Sequence, residues 1–121
     1  MCLALADSVY RRAFTDHGLK NEIVNGDENQ MRIWWVQAET VLGFTNAYQL
    51  CGEQRYADAV LHQWEYLQRS IVDPRPGSEW YWQTQEDGTP DSEKPIVEEW
   101  KCPYHNSRMV LRMLEENKSI Q

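Results

Sequence analysis

His105 lies in the run Trp100-Lys101-Cys102-Pro103-Tyr104-His105-Asn106, which delivers an imidazole among aromatic and polar side chains where a loop gives way to a helix. Pro103 biases Cys102 towards extended backbone, and the spacing of Met109, Val110, Met113 and Leu114 starts a helix just beyond it. Unpaired N–H groups and the positive end of the helix dipole disfavour added positive charge there, which suits the ring to accept a proton near pH 7. A lone histidine at a helix start is more often a cap than a base. A second cluster, Trp34-Trp35-Val36-Gln37-Ala38-Glu39, changes that balance. Trp35 and Glu39 are four apart and share a helix face, so a flat indole sits one turn from a carboxylate. A pyranose suits such a pair, its C–H face packing on the indole and its hydroxyls bonding to the acid. Trp34 shares a stripe with Ala38, Val41 and Leu42 and reads as core.

The elements that must position these groups are mainly helical. Leu3, Ala6, Val9, Tyr10 and Ala13 recur at helical spacing and give a first helix that stops by Gly18. The polar stretch 20–29, with Gly26, reads as a loop. A second helix spans about 30–50 and ends at Gly52; a third carries Tyr56, Val60, Leu61, Trp64, Leu67 and Ile71 up to Pro74, so the two form an antiparallel hairpin. Glu79 to Thr84 reads as a short strand, Asp87-Gly88 as a turn and 91–99 as a charged loop. Trp80 and Trp82 alternate on one strand face, more often packing than a sugar platform. The long irregular connection between Pro74 and Pro103 suggests a lid or rim. The last helix runs from Tyr104 to about Asn117 with Met109, Met113 and Leu114 on its buried side.

Three motifs in order, WWVQAE followed by VLGFTNAYQLCG, then EWYWQTQEDGTPD, then WKCPYHNSRM, resemble the C-terminal portion of the N-acylglucosamine 2-epimerase family, closest to its cellobiose 2-epimerase branch. The resemblance implies a mainly α fold, the C-terminal arc of an (α/α)6 barrel. About four helices of that ring are present, with a short β-hairpin-like excursion near 79–100, and residues 1–121 form a single incomplete domain. It implies proton transfer at C2 of a ring-opened reducing-end glucose, giving mannose without a cofactor. His105 matches one of the family's two catalytic histidines and Glu39 a carboxylate that orients imidazole and sugar. Trp35 and Trp100 match positions lining the sugar site. The other family histidine sits in an upstream helical hairpin, followed three residues later by glutamate and then by tryptophan and leucines. Nothing here matches it: His17 and His62 read as ordinary solvent-facing residues, and the chain alone is expected to be inactive or nearly so. N-Acetylglucosamine 2-epimerase and mannose isomerase activities stay open within the class.

Charge and composition set the remaining bounds. A net charge of −7, with no basic patch, argues against nucleic acid, and a neutral disaccharide or hexose is indifferent to it. The N-terminal MCLALADSVYRRAF is too short and too soon charged for a signal peptide or membrane span, so a cytoplasmic location without membrane association is expected. Cys2, Cys51 and Cys102 have no paired spacing, which fits a reducing compartment. The Cys102-x-x-His105 spacing lacks the second ligand pair of a structural zinc site, so no metal is expected. An isolated arc leaves apolar helix flanks exposed, which implies self-association or helix swapping. Two non-enzyme readings stand beside the epimerase: a carbohydrate-binding module, and a helical interaction module, for which the sequence shows no internal repeat.

Overall fold

In a computed structural model of the chain, residues 2–118 are described. Their order is α1 (Cys2–Arg12), β1 (Phe14–Thr15), β2 (Gly18–Leu19), β3 (Glu22–Val24), β4 (Asp27–Asn29), β5 (Arg32–Ile33), α2 (Trp34–Cys51), α3 (Gln54–Tyr66), β6 (Gln83–Thr84) and α4 (Tyr104–Lys118). Helix α3 continues into a π-helical turn, Leu67–Ile71, closed by Val72 N–H donating to the Leu67 carbonyl at 2.9 Å.

Helix α2 is the spine. It buries Trp34, Val36, Gln37, Ala38, Thr40, Val41, Leu42, Phe44 and Ala47, several faces at once, because α1, α3 and α4 all pack against it. One core cluster joins Trp34, Ala38, Val41 and Leu42 to Tyr66, Leu67, Ile71, Trp80 and Met109. The other joins Phe44, Ala47, Tyr56 and Ala59, with Tyr10 and Phe14 packed on them. Gly52, in the left-handed region at φ 69°, ends α2 and its N–H caps the Tyr48 carbonyl. The turn into α3 follows at once, giving the expected hairpin.

The short strands differ from the sequence reading. Residues 20–29 do not form a plain loop: β3 and β4 pair as a hairpin, Val24 opposite Asp27, turning through Asn25 (φ 52°) and Gly26 (φ 91°). Asn-Gly supplies the two positive φ values such a turn needs. Its strands were hidden because Glu22, Asp27, Glu28 and their neighbours face solvent and show no apolar alternation. The second helix starts at Trp34 rather than near residue 30, since Arg32 and Ile33 pair antiparallel with Thr84 and Gln83. Of the strand expected over 79–84, only Gln83–Thr84 is regular. Isolated bridges join Val72 to Trp80 and Thr84 to Pro90. The first helix ends at Arg12, short of Gly18.

Candidate functional site

The N-terminal ends of α2 and α4 meet, and that meeting places the site. On α2, Trp34 turns inward and is 3% exposed, with its ring 4.6 Å from Trp82, while Trp35 turns outward and is 41% exposed. On α4, the first helical bond runs from Ser107 N–H to the Pro103 carbonyl at 3.0 Å, so His105 lies in the first turn. Its Nδ1 is 2.9 Å from Glu39 Oε1, and its ring centroid is 5.7 Å from that of Trp35. Tyr104 meets the imidazole edge-on at 5.0 Å. The other Glu39 oxygen accepts from the Arg108 guanidinium.

This geometry sets the protonation pattern. Burial pushes the Glu39 carboxyl up, but the hydrogen bonds from Arg108 and His105, with the charge of Arg108, outweigh it and hold Glu39 below the ordinary carboxylate range. An ionised carboxylate only accepts, so Nδ1 carries a proton, and in the neutral form of the ring Nε2 is the nitrogen with the free lone pair. Arg108 is in turn pushed up by its bond to Glu39.

His105, Trp35 and Trp100 border one concavity of about 510 Å³, completed by Asn21, Glu22, Ile33, Trp34 and Trp82. Trp100 stands at its rim, 74% exposed. Glu39 lies behind, lining a neighbouring apolar hollow of about 410 Å³ between α1 and α2 that Trp35 also borders. All four candidate residues therefore come to one region. His17 and His62, read as solvent-facing, are half-buried instead. Their rings approach Tyr66 at 6.5 Å and Phe14 at 5.7 Å, and neither borders the concavity. No group of three or more His, Cys, Asp or Glu side chains among the described residues is placed to hold a metal ion. No helix among them is long and apolar enough to cross a membrane.

Two residues escaped the sequence reading. Arg108 follows His105 by three on one helix face, a spacing that signals a shared partner. Gln37, wholly buried, acts as a piece of strand: its Oε1 accepts from Leu19 N–H at 2.8 Å and its Nε2 donates to the Leu19 carbonyl at 2.9 Å. Its Oε1 also accepts from Gln63 at 3.0 Å. Gly18 must be glycine for this approach, because a Cβ there would lie 2.5 Å from Gln37 Oε1 at a φ of 79°.

The family model for N-acylglucosamine 2-epimerase matches residues 14–107. The chain belongs to the N-acylglucosamine 2-epimerase family. It is 47% identical over 116 residues to a cellobiose 2-epimerase of Eubacterium cellulosolvens, covering 96% of this chain but 28% of that protein. The structure of cellobiose 2-epimerase from Bacillus thermoamylovorans superposes with a TM-score of 0.89 at 36% identity, over 94% of this chain and 29% of that one. A D-mannose isomerase structure superposes with a TM-score of 0.76 at 23% identity, a likeness of fold alone. The chain thus spans under a third of these relatives' length, matching their C-terminal portion, and its helices form an arc of their α/α barrel.

Proposed function

We propose that this chain is part of a sugar 2-epimerase that converts a reducing-end glucose, as in cellobiose, to mannose by proton transfer at C2. The observation that carries the reading is the Glu39–His105 hydrogen bond of 2.9 Å beside a concavity walled by Trp35 and Trp100. In the ring-opened sugar the aldehyde acidifies the C2 proton. His105 Nε2 takes that proton, the C–H pair moves into an enediolate, and Glu39 stabilises the imidazolium. A second acid on the opposite face of C2 then donates a proton to that carbon and yields the epimer, and the imidazolium passes its proton through water to the conjugate base so formed. Nothing is oxidised or reduced overall, so the step needs no cofactor. Trp35 and Trp100 hold the sugar by stacking on its C–H faces.

One side chain does not readily serve both faces of a carbon, and His105 is the histidine that borders the concavity among the described residues. The chain alone is therefore expected to turn over little or nothing. The test is NMR detection of C2 proton exchange on cellobiose in heavy water. Absent exchange, or a trace abolished by His105→Ala, fits this reading; exchange that survives His105→Ala removes His105 from the mechanism.

The exposed indoles of Trp35 and Trp100 also support a second reading, carbohydrate binding without turnover, tested by tryptophan fluorescence during titration with cellobiose and mannobiose. The same proton shuttle would serve N-acetylglucosamine 2-epimerisation or mannose isomerisation, and a comparison of those sugars in the exchange assay selects among them. Three unpaired cysteines suit a cytoplasmic setting. Exposed Leu61, Trp64, Val110 and Leu114 border an apolar hollow of about 580 Å³ along α3 and α4, and this flank favours self-association.

A further inference from the structure

Trp100 stands at the end of a connection with little regular structure, just ahead of the first turn of α4 that carries His105, so something other than a helix or sheet must hold that approach in place. Lys101 is 1% exposed despite its charge. Its Nζ donates to the Ile96 carbonyl, and its backbone N–H donates to the Glu98 carbonyl at 3.1 Å, folding 96–101 back on itself with Trp100 at the crest. A buried ammonium is costly without opposing charge. Here burial pushes Lys101 down; Glu79 and Asp73 face it as anions, and Arg75 faces it as a cation. Glu79 also accepts from the buried Asn106 amide. Glu79 therefore holds the Asn106 end of the segment 101–106 directly and favours the ammonium at its other end through its charge, and between the two the chain presents His105 to Glu39.

We infer that Lys101, with Glu79 behind it, is a positioning residue: its buried ammonium clasps the 96–106 connection so that Trp100 and His105 face one ligand. The inference rests on the sugar-site reading for its purpose, but its test needs no sugar. Lys101→Met keeps the side chain's length and removes the donor. In ¹H–¹⁵N spectra the Trp100 indole signal should move and broaden, while that of Trp64 on α3 stays. An Ala59→Gly variant lowers stability in the other core cluster, away from the connection, and must leave the Trp100 signal in place, which separates positioning from loss of stability. An unmoved Trp100 signal in folded Lys101→Met overturns the inference. Should that variant not fold, Glu79→Gln is read in the same way. The unaltered protein offers a further measurement: the Lys101 amide should exchange at least about 100-fold slower than an unstructured amide, and an unprotected amide overturns the clasp. Separately, affinity for cellobiose should fall about tenfold in Lys101→Met, about 1.4 kcal/mol. A moved indole in a protein that binds no cellobiose would sink the sugar reading and leave the clasp standing.

Discussion

Replacing Glu39 by glutamine keeps its shape and removes its charge, and two bonds change character at once: the one with His105 Nδ1 and the one with Arg108. A hydrogen bond to a charged group contributes about 1.5–3 kcal/mol and a neutral one about 1 kcal/mol, so full burial would put the combined loss near 2–3 kcal/mol. The Glu39 side chain is 31% exposed and that of Arg108 41%, and water recovers part of this, leaving about 1 kcal/mol. In a domain of this size that lowers Tm by roughly 4–6 °C. Acid should erase the difference. Glu39 is held below its unfolded value, so its contribution is complete above the ordinary carboxylate range and is lost as pH falls through the depressed value. Thermal melts of both proteins, from pH 7 downwards, read this directly. Equal melting temperatures at pH 7, or a gap that persists after Glu39 protonates, would refute the proposed network.

Gln37→Leu strands the Leu19 N–H and carbonyl and the Gln63 amide, and should cost about 3 kcal/mol in urea denaturation; a loss below about 1 kcal/mol would contradict its strand-like role. Size-exclusion chromatography with light scattering at micromolar concentration should show dimers or larger species, reduced by Trp64→Lys, whereas a monomer at every concentration would count against the exposed flanks. Trp35→Ala should weaken cellobiose binding at least about tenfold by fluorescence titration in a protein that still melts cooperatively, because the 41% exposed indole offers its outer face to the sugar.

The parts of this molecule legible in the sequence are those governed by fixed helical spacing. Trp34 inward with Trp35 outward, and Trp35 one turn from Glu39, follow from 3.6 residues per turn, and the α2–α3 hairpin follows from Gly52. The convergence of Glu39 and His105 was not a local property. It entered only through the ordered motifs, since 66 positions separate the two residues and tertiary packing alone brings them together. The β3–β4 hairpin carried its Asn25-Gly26 turn in plain view, yet its polar strands gave no period to support it. Gln37 and Lys101 were opaque for one reason: each satisfies backbone groups of a distant or irregular segment, and neither polarity nor spacing reveals burial. Arg108 was within reach, three residues beyond His105.

Whether the concavity bordered by Trp35, Trp100 and His105 binds sugar can be read from ¹H–¹⁵N spectra of the tryptophan indoles during titration with cellobiose. The Trp35 and Trp100 signals should move together along one binding curve while Trp64, on the far flank, stays still. Movement of Trp64 alone, or of no indole at saturating sugar, would contradict the sugar-site reading.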